Sequence, residues 1–426
     1  MTSTCEPVAK GTWTSSATAG LVSVVIPNFN HGRFLSEAIE SALEQEYRDL
    51  EIIVVDDGST DDSRAVVEQH GGKVRYLWQE NRGLPAARNT GIRAACGQYV
   101  AFLDADDSWL PQFVSSVMAR WRQDPALGAV HTGFYSMDHD GRRLPQVGVS
   151  TVADDRMHER LVDGEFFVPS SVVARRECFE RVGLFDERLR GSEDWDMWLR
   201  VAQEYRFAGI ARPLVNYRIH GSNMSGDPDY MLRYQLMVAA KHFGPPEGSR
   251  ESWPPDKQRA YAAVYRYAAQ GYYLRGDLVN SRLYLRLALE ANPALCECLD
   301  LYYELGCADQ PLGRRTAGAH IDLEKNASFV LASLDDVFSN PPPSTRLRHR
   351  RRGAFGHAYL ALGLLAYGSQ RLDLVRDYVP RALMSGPPLC LRRDAWSTLG
   401  KALLGRRLLR TARMRFGSRD RSSSQA

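Results

Sequence analysis

Between Leu21 and Gln123 short apolar runs alternate with amphipathic stretches. Val22–Ile26 is a β-branched run that stops at Pro27, and Leu35, Ala38, Ile39, Ala42 and Leu43 then recur at the spacing of one buried helical face. Glu51–Val55 reads as a second strand, followed by a helix for Ser59 or Thr60 to cap. Val74–Trp78 reads as a third strand, Pro85–Ala95 as a helix and Tyr99–Leu103 as a fourth strand, with Pro111 opening a helix that runs to about Gln123. This alternation predicts crossover units and a mostly parallel sheet covered on both faces: an α/β domain, in which ligands bind beyond the carboxyl ends of the strands.

The pattern changes after Gly244. Pro245, Pro246, Pro254 and Pro255 mark a linker, and the chain beyond it reads as helical. Leu278, Tyr284, Ala288-Leu289 and Pro293 form a pattern that returns, shifted by 94 residues, as Leu372, Tyr378, Ala382-Leu383 and Pro387. The two segments resemble degenerate tetratricopeptide-type helical hairpins. The Pro341–Pro343 run and the Arg346–Arg352 cluster are expected to interrupt this region as an exposed loop. The expected organisation is a disordered leader at 1–20, the α/β domain at 21–244, a Pro-rich linker at 245–258, an all-helical domain at 259–415 and a disordered tail at 416–426.

Length and charge sharpen this division. A chain of 426 residues is too long for one ordinary core. The net charge of +3 hides an asymmetry: Asn340–Ala426 holds 18 Lys/Arg against 4 Asp/Glu, which leaves the rest at −11. An acidic front half suits a site built from carboxylates. The basic end reads either as a contact with an anionic membrane surface or phosphate-bearing acceptor, or as a solvated Arg-rich face. No run approaches the roughly 18 apolar residues that cross a bilayer, and Met1–Gly20 lacks the apolar core of a secretory signal. Seven scattered cysteines argue against a disulfide framework and for a reducing compartment, so a cytoplasmic protein is expected, peripheral on the inner membrane face if the basic end docks there. Cys296, Cys298, Cys307 and His320 lack the usual zinc-knuckle spacing.

Three acidic or polar clusters fall at predicted strand ends: Asn28–Asn30, Asp56–Asp57 and Asp104–Asp107. In Asp104-Ala105-Asp106, an extended backbone would turn both carboxylates to one side, where a hard divalent cation finds oxygen ligands; the alternative is an ordinary Asp turn. Asp56 and Asp57, before Gly58, can accept from a base N–H or a ribose hydroxyl, or simply form an Asx turn. Asn81–Gly91 is a Gly-bearing loop entering a helix whose N-terminus would seat an anion, with Arg88 either near it or on the surface. In Gly191–Trp198, Ser192 looks like an N-cap ahead of acidic residues. One carboxylate there could act as general base toward an acceptor hydroxyl, beside Trp195 or Trp198 as sugar-stacking platforms, unless Trp198 is core. His220 either completes the metal site or is structural.

Taken in order, Val24-Val25-Ile26-Pro27-Asn28-Phe29-Asn30, Val54-Val55-Asp56-Asp57-Gly58-Ser59-Thr60-Asp61, Ala87-Arg88-Asn89, Phe102-Leu103-Asp104-Ala105-Asp106-Asp107, Glu193-Asp194 and Tyr217-Arg218-x-His220 resemble the family 2 glycosyltransferases with the GT-A fold. The resemblance covers about Leu21–Ser225. It implies an inverting single displacement from a nucleotide sugar, a UDP-sugar by family habit, assisted by Mg2+ or Mn2+. The acceptor would be a glycan or a lipid-linked hydroxyl, in cell-surface polysaccharide or glycoconjugate synthesis, and no nucleic-acid partner is expected. The implied donor pocket comprises Pro27, Asn28, Asn30, Asp56, Asp57, Arg88 and Asp104. Asp106 and His220 would meet the metal, Asp194 would be the catalytic base, and Glu193 and Trp195 would face the acceptor.

Three other classes fit the sequence less well. A haloacid-dehalogenase-type phosphohydrolase would use Asp104 as nucleophile, but it carries its motif on the first strand, followed by Gly-Thr, where this chain has Asp107-Ser108-Trp109 after the fourth. A dinucleotide-binding dehydrogenase lacks its G-x-G-x-x-G after the first strand. A degenerate enzyme serving as a helical-repeat scaffold conflicts with intact Asp104, Asp106 and Asp194.

Overall fold

The structure is a computed structural model that describes residues 17–148, 155–221, 223–310, 321–339, 345–386, 389, 392–393 and 395–400. The first sixteen residues, His320, the 340–344 run with its prolines, Pro387 and everything from residue 401 lie outside the described residues. The chain divides into two compact units. One holds the described residues up to Gly248 together with Trp253–Val264, and the other holds Ser249–Ser252 and the described residues from Tyr265 onward.

The first unit alternates strand and helix as expected: β1 (Thr18–Asn28), α1 (Gly32–Leu43), β2 (Leu50–Asp56), α2 (Ser63–Gln69), β3 (Arg75–Trp78), α3 (Leu84–Ala94) and β4 (Gly97–Phe102). Next come β5 (Ser108–Trp109), α4 (Phe113–Gln123), β6 (Leu127–Met137), β7 (Arg143–Gly148), α5 (Met157–Val162), β8 (Val172–Arg175), α6 (Arg176–Val182), α7 (Glu193–Glu204), β9 (Arg206–Arg218) and α8 (Pro228–Phe243). The strands form one sheet in the order β3-β2-β1-β4-β8-β6-β9-β5, with β7 paired to β6. β1, β2, β3 and β4 are mutually parallel, as are β6 and β9, while β8 runs antiparallel between β4 and β6.

The Val/Ile runs are buried because helices cover the sheet. Val24, Ile26, Ile52, Val54 and Ala101 pack with Leu35, Ala38, Ile39 and Ala42 of α1. Gly91 lets α3 lie close on β1, since a Cβ there would come within 2.2 Å of a Val25 methyl. Four local expectations fail. Thr18–Gly20, read as leader, already belongs to β1. Helix α2 begins at Ser63 rather than being capped by Ser59 or Thr60. Helix α4 begins at Phe113, so Pro111 precedes it. Finally, α9 (Pro255–Arg275) starts inside the segment read as linker.

In the second unit the described residues are helical: the end of α9, then α10 (Leu278–Ala291), α11 (Leu299–Gly306), α12 (Leu323–Ser339), α13 (Thr345–Arg348), α14 (Arg351–Gly368) and α15 (Leu372–Met384). Leu285, Leu289, Tyr302, Leu334 and Ala358 anchor one apolar cluster, and Leu362, Val375, Val379 and Ala382 a second. The Arg346–Arg352 segment is mostly helical rather than a loop. A concavity of about 560 Å3 lies there, lined by Arg348, His349, Arg351, Arg352, Phe355 and Ser385. Cys178, Cys296, Cys298 and Cys307 are free thiols, and no described group of three His, Cys, Asp or Glu could hold a metal, so the cysteines build no zinc site among the described residues. Cys96 is disulfide-bonded. Among the described residues no helix is long and apolar enough to cross a membrane.

Candidate active site

The carboxyl ends of β1, β2 and β4 bring the first three clusters together. At the end of β1 the Asn28 Nδ2 donates to Ser59 Oγ (3.1 Å), and the Asn30 backbone N–H donates to the same oxygen (2.9 Å). Asn30 takes a left-handed backbone (φ 56°), and its Oδ1 accepts from Thr60 N. Ser59 therefore ties two loops together instead of capping a helix. Asn28 Oδ1 is buried without a partner. A buried acceptor left open costs about 1–3 kcal/mol, so it marks a place where a ligand's N–H or O–H would fit.

Asp56 and Asp57 are buried and spend their oxygens on the protein. Asp56 accepts from Ser59 N (2.8 Å) and the Tyr76 hydroxyl (2.6 Å). Asp57 accepts from Gln79 Nε2 (2.5 Å), Arg82 N (3.0 Å) and Gly83 N (2.7 Å). The pair shapes the loop that leads into α3. Gly58 is required in that turn: its φ is +82°, and a Cβ would lie 2.9 Å from Asn81 N.

Arg88 is neither a surface residue nor free to meet an anion. It is buried, with Nη1 2.6 Å from Glu193 Oε1 and Nη2 2.8 Å from Asp104 Oδ1. Burial alone would lower its guanidinium, but Asp104, Glu193 and Asp194 outweigh that and hold it above its ordinary value. Burial pushes the Glu193 carboxyl up to about 7 against the pull of Arg88.

The extended geometry expected for Asp104-Ala105-Asp106 is absent. β4 ends at Phe102, and the Asp107 N–H donates to the Asp104 carbonyl (3.0 Å), closing a turn that sends each carboxylate to a different partner. Asp104 faces Arg88. Asp106 Oδ2 lies 2.9 Å from His220 Nε2. Asp107, buried, accepts from Arg218 N (2.9 Å) and Ser170 Oγ (2.6 Å). Arg218 also donates through Nε to the Asp106 carbonyl (2.7 Å), lies over the Phe34 ring, and pairs with Glu37. Phe34 stacks on His220 as well (5.3 Å between centroids). The end of β9 is thus fastened to the 104–107 turn, and His220 is delivered to Asp106.

At the head of α7, Ser192 makes no side-chain cap and is left-handed (φ 54°). Asp194 is half-buried, and its Oδ1 accepts from Trp195 N (2.9 Å). Glu193 is buried against Arg88, so it does not present its carboxylate to an acceptor as expected. Trp195 is no sugar platform either. It is 3% exposed, and its indole N–H donates to the Leu161 carbonyl (2.8 Å). Trp198 is core, among Phe102, Phe167 and Phe207.

Asp106 Oδ2 and His220 Nε2, in direct contact at 2.9 Å, could both meet one divalent cation, the carboxylate as a hard oxygen ligand and the imidazole as a softer one. Two neighbouring ligands on an octahedral ion, each about 2.1 Å from it, lie about 3 Å apart. Two protein groups are few, so a cation held by Asp106 and His220 would draw its remaining ligands from a bound diphosphate and water. Both residues stand out in the sequence. Tyr76, Gln79, Ser170 and Phe34 do not, since they carry no motif signal, and Arg218 and Asp107 lie within motifs that gave neither of them a role.

Acidic loops at the ends of parallel strands, closed by a late antiparallel and parallel extension, define a GT-A-type glycosyltransferase domain. Residues 23–183 match the family model "Glycosyl transferase family 2". An uncharacterized glycosyltransferase of Bacillus subtilis, EpsJ, is 38% identical over 248 residues, covering 53% of this chain and 71% of the relative. This chain belongs to glycosyl transferase family 2. An uncharacterized glycosyltransferase of Nostoc sp. is 35% identical over 217 residues, covering 47% of this chain and 66% of the relative. Chondroitin synthase of Escherichia coli is 31% identical over 208 residues, 48% of this chain, and the match spans 30% of that much longer enzyme. The chain therefore spans less than two thirds of two of these three relatives. Among solved structures, S. aureus TarS in complex with UDP-GlcNAc is similar with a TM-score of 0.46 at 16% identity, over 85% of this chain and 91% of that one, too distant to carry its ligand here.

Proposed function

We propose that this protein is an inverting glycosyltransferase that moves a sugar, a hexose or a close relative, from a nucleotide-diphosphate sugar to a hydroxyl of a glycan or lipid-linked acceptor. A UDP-sugar is the preferred donor, and cell-surface polysaccharide or glycoconjugate synthesis the preferred setting. The observation that carries this reading is the Arg88 strut. It holds Asp104, beside the Asp106–His220 pair, against Glu193, which adjoins the half-open Asp194. One buried cation thereby sets the candidate diphosphate end and the candidate base in a single rigid frame.

In this reading Asn28, with its open acceptor, and the loop shaped by Asp56 and Asp57 receive the nucleoside. Asp106 and His220 would hold Mg2+ or Mn2+, which when bound offsets charge on the leaving diphosphate. Asp194 takes the proton from the acceptor hydroxyl as its oxygen forms a bond to the anomeric carbon. The bond from that carbon to the diphosphate breaks on the opposite face, and the nucleotide leaves with the electron pair. Arg88 and Glu193 act as supports.

We read the second unit as tetratricopeptide-like. Tyr284 and Tyr378, the tyrosines related by the 94-residue shift, each stack on a tyrosine of the preceding helix: Tyr272 at 5.3 Å and Tyr359 at 6.1 Å. Its Arg348–Arg352 concavity supports a role in meeting an anionic acceptor or the inner membrane face of the cytoplasm.

The deciding experiment is binding and hydrolysis across a panel of UDP-, GDP- and dTDP-sugars, with Mn2+ and with chelator, for wild type and Asp106→Ala. Metal-dependent binding of one nucleotide class, lost in the variant, is expected. A folded protein that binds none of them would overturn the reading in favour of a helical scaffold.

A further inference from the structure

The turn that follows α5 is pinned on both sides of a single residue. Arg259 donates through Nε to Asp163 Oδ1 (2.9 Å) and through Nη2 to Asp163 Oδ2 (2.7 Å). Gly164 turns the chain with φ +101°. Arg160 lies 4.5 Å over the Phe166 ring, and Phe166 and Phe167 pack edge and face against His131. The Trp195 indole, bound to Leu161, ties α5 to α7. Between these anchors Glu165 turns inward. Its Oε1 is buried without a hydrogen-bond partner, and its carboxyl lies within hydrogen-bonding reach of Asp194.

The charge count opposes an ionised carboxyl at this point. Asp104, Glu193, Asp194 and Glu165 share one guanidinium, and the Nη1 and Nη2 of Arg88 are taken by Glu193 and Asp104. Four carboxylates around one buried cation would leave several negative charges desolvated and uncompensated, so the cluster must retain protons.

We propose that Glu165 is a positioning residue for Asp194: its carboxyl stays protonated and donates its O–H to the Asp194 carboxylate, holding that carboxylate oriented toward the acceptor. The proposal rests on the reading of Asp194 as general base. Burial first, then Asp194 and Glu193, push Glu165 well above the usual carboxylate range, with Arg88 opposing. During transfer the acceptor's proton goes to Asp194, and Glu165 keeps its own. As pH rises past the raised value, Glu165 loses its proton, the donor disappears and a second negative charge faces Asp194. Turnover then falls on the alkaline side.

Infrared difference spectra of the full-length protein at pH 7, wild type minus Glu165→Gln, test the protonation directly. A carboxylic-acid carbonyl band present in wild type, lost in Glu165→Gln and displaced in Asp194→Asn, is expected. Kinetics with the nucleotide sugar selected by the donor panel add a second readout. Glu165→Ala should lower kcat about tenfold or more with little change in KM, the scale of a hydrogen bond to a charged group, while Glu165→Gln restores most of the loss and flattens the alkaline fall. Absence of the band, a band indifferent to Asp194→Asn, or equal impairment of the Ala and Gln variants would overturn the proposal. If the band behaves as expected but Asp194→Asn turns over normally, the base assignment fails while the Glu165–Asp194 pair stands.

Discussion

Arg88 Nη1 lies 2.6 Å from Glu193 Oε1, joining two residues 105 positions apart inside a buried pocket. Breaking one side of such a pair strands a charge. Arg88→Met should therefore lower unfolding free energy by about 3–5 kcal/mol, read as a shifted urea midpoint, and should abolish donor turnover. Arg88→Lys should not rescue it, because an ammonium cannot span Glu193 and Asp104 as the planar fork does.

Asp194→Asn should behave differently. The side chain is half-buried, and asparagine keeps an oxygen to accept from Trp195 N and from Glu165, so melting temperature should move little. Sugar transfer should fall by roughly 10²- to 10⁴-fold, the usual contribution of a general base. Stopped assays at saturating donor would check it, and a kcat within about tenfold of wild type would refute the assignment.

Asp57 accepts from three donors of the 79–83 loop, two of them backbone N–H groups. Asp57→Ala leaves these unpaired at about 1–3 kcal/mol each. Calorimetric titration with UDP and Mn2+ should show affinity weakened at least about tenfold, the equivalent of one such loss. Asp57→Asn, which keeps one acceptor oxygen, should lose less.

Acid stability should depend on Asp196. It is fully buried and meets Arg200 (2.9 Å), Lys241 (2.8 Å) and His242 (2.8 Å). Burial would raise its carboxyl, but the hydrogen bond from His242 and the charges of Arg200 and Lys241 prevail and bring it down to about 2. A depressed folded value means that the stabilisation is complete above the unfolded value near 4 and is lost as pH falls from there to about 2. The loss is on the order of 2 kcal/mol. Urea unfolding at pH 5 and pH 3 should show about half of that loss in wild type, and Asp196→Asn should be less stable at pH 5 and flatter between the two.

The strand–helix alternation of the first 120 or so residues was legible because each apolar position records a local contact: Leu35, Ala38, Ile39 and Ala42 are all buried where the periodicity puts them. The candidate ligands Asp106 and His220 were legible as a motif. Their partners were not. Nothing near Arg88 in sequence announces Glu193, and an Asp-Ala-Asp triplet reads equally well as strand or turn until Asp107 N closes on the Asp104 carbonyl. Trp195 looked like a sugar platform because composition cannot distinguish an exposed indole from one bonded to Leu161. Glu165 had no signal, since only the tertiary fold places it against another carboxyl.

Ser192 holds a left-handed backbone directly ahead of Glu193 and Asp194, without the freedom of glycine. Such a conformation costs a non-glycine residue roughly 1 kcal/mol. For directed evolution this makes the position a fork. Libraries selected for heat resistance should drift to glycine, which removes the penalty. Libraries selected for turnover should keep serine or asparagine, whose stiffer backbone fixes the angle at which the two acids enter the helix.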